Sequence, residues 1–439
     1  MTKIKLNKYV YNQSENSFIC INNETHITSN KRINVLHANY MNKKNIKKLI
    51  DKNKSSEKSI SLNGNEIFNT YSTEKFTNIN NNDTHKHEKI NIVNNFNKDL
   101  IYTINVQFGS NPLYKPSAEL VIDTGSSDLW IARRAIMTHF HKSGSNNIYS
   151  PNEKINKITG KKIPITITYG SGMVGGYICT DKVTVNDMEI NDQSFAIMNC
   201  LSLSADINGI IGFGFSSLAN KHNTPTFIDN LYEKKIIKQR IFGFNCNELS
   251  IGDIDEIYEK NMLYVPLYTH SDEIITESDH LLRKYNGHWA LKYNGIIINN
   301  NKCNSIENND SNSILIQNTD YDFIIADTGC STIILSNDDY IKFIEYIGID
   351  TIEITDETIK CLPDITFIIG DNKNHITLKP EHYIVKRNYG YDVLITGGAD
   401  EIGAVIMGDP LFRAYYCVFD MDNKRMGFSH IVENKCLYS

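Results

Sequence analysis

Between residues 101 and 370 the apolar positions fall in short runs rather than at helical spacing. Ile101 to Val106, Glu119 to Ile122, Ile163 to Thr168, Ile296 to Ile298, Phe323 to Ala326 and Ile365 to Ile369 each stop close to a Gly, Asn or Asp. That is the pattern of strands cut by turns. Helical pieces are few, the best being Pro225 to Glu233 and Asp338 to Ile347, so this body reads as mainly β.

The first 95 residues follow a different pattern. Asn45 to Lys54 sets Ile46, Leu49 and Ile50 on one face of a short helix with lysines around the rest. From Ser59 to Asn95 the composition turns to Asn, Thr, His and Lys, with an Asn run at 80 to 82, and reads as exposed and cleavable. Charge divides at the same place: residues 1 to 95 hold 15 Lys+Arg against 8 Asp+Glu, and residues 96 to 439 hold 30 against 43. A basic leader on an acidic body suits a covering segment that docks by charge and is later removed. It does not suit a nucleic-acid arm, because the leader's basic residues lack interleaved aromatics or glycines and the body repels phosphate.

A chain of 439 residues exceeds one ordinary core, so two compact units or a two-lobed body with an appendage are expected. Apolar residues at 41%, with 24 Tyr and 18 Phe, supply a β-rich interior and exclude wholesale disorder. No stretch nears the roughly 18 uninterrupted apolar residues of a membrane helix, so the chain reads as soluble, with no integral membrane segment. Met1 to Thr25 shows no apolar core of the length a secretory signal needs. The nine cysteines form no Cys-x-x-Cys pair, which argues against a zinc module; no metal or cofactor is expected. Their odd number leaves at least one thiol free.

An internal repeat carries the chemistry. Leu120-Val121-Ile122-Asp123-Thr124-Gly125-Ser126-Ser127 is echoed by Phe323-Ile324-Ile325-Ala326-Asp327-Thr328-Gly329-Cys330-Ser331, each an apolar strand ending in Asp-Thr-Gly. Two chance copies of that tripeptide are expected in well under about one in a hundred chains of this size. Gly212 of Ile210-Ile211-Gly212 lies 89 residues after Asp123, and Gly408 of Ile406-Met407-Gly408 lies 81 after Asp327, so two lobes of one β architecture are expected. Two carboxylates placed a few ångström apart cannot both ionise cheaply and share one proton over a wide acid range. One then takes a proton from water while the other gives one to a carbonyl oxygen, which hydrolyses a peptide bond without a metal or an acyl-enzyme. The glycines let the loops approach, and the Thr hydroxyls are placed to hydrogen-bond across the junction.

From about Phe96 to its end the chain resembles the pepsin-family aspartic proteases, and its leader resembles their prosegment. The resemblance implies a mainly β, bilobal pepsin-like double-β-barrel fold with an N-terminal prosegment. The organisation it implies is a leader at 1–95, an N-terminal lobe at 96–260 and a C-terminal lobe at 261–439. Asp123 and Asp327 carry over as the catalytic pair, supported by Thr124, Gly125, Ser126, Thr328, Gly329 and Cys330. Ile167-Thr168-Tyr169-Gly170-Ser171-Gly172 matches the family's flap hairpin, which makes Tyr169, Gly170 and Ser171 candidates for substrate contact, and Trp130 falls where the family bonds the flap tyrosine. Asp409 and Arg413 sit where the family's second-lobe motif places them, and Lys75 is the candidate to block the dyad in a zymogen. Asn and Lys richness resembles the plasmepsin branch. An extended polypeptide substrate, inhibition by pepstatin-type compounds and a monomeric state are implied, as is a secretory, vesicular or extracellular location that the first 25 residues do not signal.

Two departures stand out. Cys330 replaces the hydroxyl residue that normally donates to the second carboxylate, and a thiol is a weaker donor. The expected consequence is an Asp327 less stabilised as an anion and an activity optimum at higher pH. The Ile131 to Ser150 segment lacks the family's paired cysteines, and Cys361 lacks a partner in the expected later loop. A reducing location, or pairing elsewhere such as with Cys303, would each account for this. These departures motivate the rival reading, a weak or inactive protease-like protein that grips peptides without cutting them. A retroviral-type homodimeric protease is excluded by the two copies in one chain.

Overall fold

A computed structural model describes residues 8–12, 17–21, 88–91, 93–94, 101–110, 116–137, 151–153, 161–203, 207–220, 224–268, 287–299, 314–317, 321–347, 354–371, 373–387 and 390–431. The predicted helix over Asn45 to Lys54 and the candidate Lys75 lie outside them. The apolar runs form strands at Tyr102–Phe108, Ser117–Asp123, Pro164–Tyr169, Ala290–Asn299, Phe323–Ala326 and Asp364–Ile369. The two predicted helices appear as Phe227–Glu233 and Asn337–Ile347. The first begins at Thr226, whose hydroxyl accepts from the Asp229 amide at 3.2 Å while Asp229 accepts from the Thr226 amide at 3.0 Å. This reciprocal pair satisfies two donors that a helix start otherwise leaves open.

The strands gather into three principal sheets. A nine-stranded sheet takes the segment from Val93 to Gly212, and an eight-stranded sheet takes the segment from Ala290 to Met407. Between them a six-stranded sheet runs in the order Leu263–Pro266, Arg425–His430, Tyr415–Asp420, Ile241–Phe244, Glu248–Ile251 and Glu88–Asn91. It draws strands from each of the three segments expected from sequence. The architecture is mainly β and bilobal. Aromatic rings pack on this sheet: Phe242 stacks on Phe419 of the adjoining strand at 4.6 Å, and Trp289, just before the strand Ala290–Asn299 of the eight-stranded sheet, meets Phe419 edge-on at 5.0 Å. The Trp289 ring nitrogen donates to the Phe213 carbonyl at 2.9 Å, so a C-terminal residue is tied to the N-terminal half.

The expectation that Ser59 to Asn95 is exposed throughout needs correction at its end. Glu88–Asn91 pairs antiparallel with Glu248–Ile251, and Val93–Asn94 pairs with Tyr102–Phe108. Ile90, opposite Leu249, is only 4% exposed. The apolar-polar alternation through Lys89, Ile90 and Asn91 gives this short strand one face to bury. Of the two explanations for Cys361, pairing elsewhere holds, since Cys246 and Cys361 are both disulfide-bonded, while Cys330 and Cys417 are thiols. No helix among the described residues is long and apolar enough to cross a membrane.

Candidate active site

Each Asp-Thr-Gly follows a buried strand that is held in the same way in both halves. Ser117–Asp123 pairs in parallel with Gly209–Gly212, Ile211 opposite Ile122 and Gly212 opposite Asp123. Phe323–Ala326 pairs in parallel with Val405–Met407, Ile406 opposite Ile325. A third strand completes each unit: Leu129–Ala132 runs antiparallel to Gly209–Gly212, and Ile333–Leu335 antiparallel to Val405–Met407. The two apolar residues of each Ile-Ile-Gly or Ile-Met-Gly therefore fill the strand core. The glycine marks where the loop crosses: a Cβ on Gly408 would lie 2.3 Å from the Cys330 carbonyl oxygen.

The two loops interlock through their threonines. The amide of Thr124 donates to the Thr328 hydroxyl and the amide of Thr328 donates to the Thr124 hydroxyl, both at 3.0 Å. Each hydroxyl then donates onward across the junction, Thr124 to the Ala326 carbonyl at 3.0 Å and Thr328 to the Ile122 carbonyl at 2.8 Å. All of this is buried, so every donor needs the partner it has.

The interlock brings Asp123 and Asp327 into side-chain contact. Gly125 and Gly329 make the approach possible. A Cβ on Gly125 would lie 2.5 Å from Asp327 Oδ2, and one on Gly329 would lie 2.7 Å from Asp123 Oδ1, both inside any tolerated contact. Each carboxylate accepts an amide from its own glycine, Gly125 to Asp123 Oδ1 at 2.9 Å and Gly329 to Asp327 Oδ1 at 2.8 Å.

Their outer sides differ. The Ser126 hydroxyl donates to Asp123 Oδ2. The Cys330 thiol turns away and donates to the Thr332 carbonyl at 3.2 Å. Burial raises the pKa of Asp123, opposed chiefly by the donors on Ser126 and Asp327. Asp327 is raised well above the usual carboxylate range, by burial first and then by the Asp123 charge, with the Gly329 amide opposing. Burial and the mutual charge disfavour ionising both carboxyls at once, so the pair holds one proton between them. Burial and the charge on Asp327 push the Cys330 thiol up to about 12, so it is un-ionised at acid and neutral pH.

Over this pair lies the hairpin of Pro164–Tyr169 and Gly172–Val185, with Gly170 and Ser171 half-buried at its turn. The Tyr169 hydroxyl accepts from the ring nitrogen of buried Trp130 at 2.8 Å and contacts Ser126. Burial and the Asp123 charge raise its pKa well above 10.0, which keeps the phenol protonated. Trp130, Tyr169, Ser126 and Asp123 thus form one connected chain of contacts. Asp409 and Arg413 lie on the buried helix Asp409–Ala414 behind the second loop: the Asp409 amide donates to the Cys330 carbonyl at 2.9 Å, Arg413 Nη1 donates to Asp409 Oδ2 at 3.4 Å and the Tyr102 hydroxyl also donates to Asp409.

Sequence reasoning passed over the Ile122 and Ala326 carbonyls, because a backbone acceptor leaves no mark in residue type. It also passed over Tyr102, whose partner lies 307 residues away. The invariant geometry of the repeat would have located the third strands, since Leu129-Trp130-Ile131 and Ile333-Ile334-Leu335 stand at similar offsets after the two Asp residues.

The sequence pattern of the family described as eukaryotic aspartyl protease matches residues 101–431. Among curated proteins the chain is 25% identical to pepsin A of Gallus gallus over 341 residues, covering 71% of this chain and 79% of that one. It is 26% identical to cathepsin E of Aquarana catesbeiana over 356 residues, covering 76% and 80%. The crystal structure of the aspartic proteinase from Irpex lacteus superposes with a TM-score of 0.59 at 21% identity, covering 80% of this chain and 99% of that one. With a match across most of its length and two interlocked Asp-Thr-Gly loops at its centre, the chain belongs to the eukaryotic aspartyl protease family and is an aspartic endopeptidase.

Proposed function

We propose that Asp123 and Asp327 are the catalytic pair and that they cleave extended polypeptides lying under the Tyr169 hairpin. Asp123, the anion, takes a proton from water as the water oxygen bonds to the scissile carbonyl carbon, and Asp327 gives its proton to the carbonyl oxygen. The tetrahedral diol then collapses: the carbon–nitrogen bond breaks, Asp123 passes its proton to the leaving nitrogen, and a diol hydroxyl returns a proton to Asp327. Both carboxyls end as they began. The observation that carries this reading is the unequal support of the pair: the Ser126 hydroxyl and the Gly125 amide donate to Asp123, whereas the Cys330 thiol at the matching place on Asp327 donates to Thr332 instead.

In this reading Thr124, Gly125, Thr328 and Gly329 hold the geometry, Ser126 and Cys330 set the proton's position, and Tyr169, Gly170 and Ser171 cover the substrate with Trp130 as support. The basic leader serves as a removable covering segment, with Lys75 its candidate blocking group and the lobes lying at about 96–260 and 261–439. Removal fits a cut before Glu88, because Glu88–Asn91 is part of the six-stranded sheet. Asn and Lys richness supports the plasmepsin branch, and the trimmed enzyme is expected to act as a monomer.

An internally quenched peptide with a central hydrophobic pair tests this, assayed from pH 3 to 8 with the whole chain and with a leader-trimmed chain. Pepstatin-sensitive cleavage by the trimmed chain supports it. Trimmed, folded protein that binds the peptide and never cuts it would instead establish the peptide-gripping reading.

A further inference from the structure

The hairpin that carries Tyr169 is not a free two-stranded ribbon. Its second strand, Gly172–Val185, pairs on its far side with Met188–Leu203 through the tip, placing Leu203 opposite Gly172, Ser202 opposite Met173 and Leu201 opposite Val174. The tip is thus the edge of a three-stranded sheet. A register shift between Gly175 and Gly176 bends the strands just below this stretch. Beyond the bend, one side chain adds two bonds to the strand pairing. The Ser202 hydroxyl accepts from the Met173 amide at 3.3 Å and donates to the Met173 carbonyl at 3.0 Å.

The apolar side of the same stretch points the other way. Leu201 and Leu203 pack with Tyr169 against the cluster of Trp130, Ile165, Ile167 and Val174. Met173 itself is 49% exposed, so the main-chain bonds, and not its side chain, tie this residue down.

We propose that Ser202 is a positioning residue for the hairpin. By holding both the amide and the carbonyl of Met173, it keeps the Tyr169–Gly172 tip folded over the dyad before substrate arrives. Opening the tip for a polypeptide to enter requires this clasp to break. The inference rests on the reading of the hairpin as the cover of the substrate.

A clasp made of two neutral bonds at the surface shifts a local opening equilibrium by roughly three- to tenfold. Ser202→Ala should therefore accelerate hydrogen exchange of the Met173 amide and its neighbours by about that factor. It should speed pepstatin association and raise KM several-fold with kcat nearly unchanged, because the substrate must then order the tip itself. Ser202→Thr, which keeps the hydroxyl and suits a strand, should restore all three. The inference is overturned if Ser202→Ala, folded and active, matches the wild type in exchange and kinetics. It is equally overturned if the Ala and Thr variants share one defect along with a lowered Tm, since that marks a merely structural residue. Exchange is read without turnover, so a wild type that never cuts would sink the proteolytic reading while leaving the clasp measurable.

Discussion

Thr124 and Thr328, 204 residues apart in sequence, exchange hydrogen bonds from amide to hydroxyl in both directions at 3.0 Å. Each hydroxyl also donates to a carbonyl of the opposite loop, so the two halves of the chain are locked at the point where the carboxylates meet. Thr124→Val or Thr328→Val leaves one amide and one carbonyl buried without a partner, at about 1–3 kcal/mol each. The expected loss of stability is about 2–5 kcal/mol by denaturant unfolding, with cleavage falling in parallel. Thr→Ser at either position keeps the hydroxyl and should cost far less.

The approach of the carboxylates depends on the bare backbone at Gly329, where a Cβ would stand 2.7 Å from Asp123 Oδ1. Gly329→Ala must push the second loop or the Asp123 side chain aside. A displacement on the order of 1 Å at reacting groups costs about a hundredfold in rate, and kcat/KM should fall by at least about that factor. The protein should stay folded, which near-ultraviolet circular dichroism would check.

Cys330 gives a pH prediction. The active form holds one proton on the pair, and its loss from Asp327 closes the profile on the alkaline side. Asp327 is raised by burial and by the Asp123 charge, and the Cys330 thiol donates to Thr332 and not to it. Cys330→Ser or Cys330→Thr supplies a hydroxyl able to donate to the Asp327 anion, which eases ionisation. The alkaline limb of kcat/KM should move to lower pH, and an unchanged limb would remove this role. The stability linkage has a definite sign as well. With its folded pKa raised, Asp327 stabilises the fold below its unfolded value, and that contribution is lost as pH rises through the folded value. Asp327→Asn should therefore flatten the decline of stability on the alkaline side.

The strands were legible because short apolar runs ending in turn residues can bury themselves only as strands, and Phe323–Ala326 matches its expected limits. The dyad was legible because Asp-Thr-Gly occurs twice behind an apolar strand, and the glycines and threonines at each copy have few other uses. Glu88–Asn91 was not legible, since Glu, Lys and Asn surround Ile90 in sequence, and the partner strand is contributed from residues 248–251. Ser202 was equally silent. A serine in a strand says nothing until the register puts Met173 opposite it.

The Asp409–Arg413 pair predicts a stability effect. Both side chains are fully buried, and the Tyr102 hydroxyl adds a bond from the N-terminal half. Burial raises the pKa of Asp409 in spite of Arg413, so the pair is held at a desolvation cost. Removing one partner strands the other: Asp409→Ala should destabilise by about 3–5 kcal/mol. Tyr102→Phe should cost roughly 1–3 kcal/mol. Urea unfolding of the two variants reads the difference.

The most direct test of the account is cleavage of the quenched peptide by leader-trimmed protein carrying Asp123→Asn or Asp327→Asn, beside the wild type at its optimal pH. Water activation needs both carboxyls, so each variant should lose at least about a thousandfold in kcat while keeping its fold. Wild-type levels of cleavage in either variant would contradict the assignment of the pair.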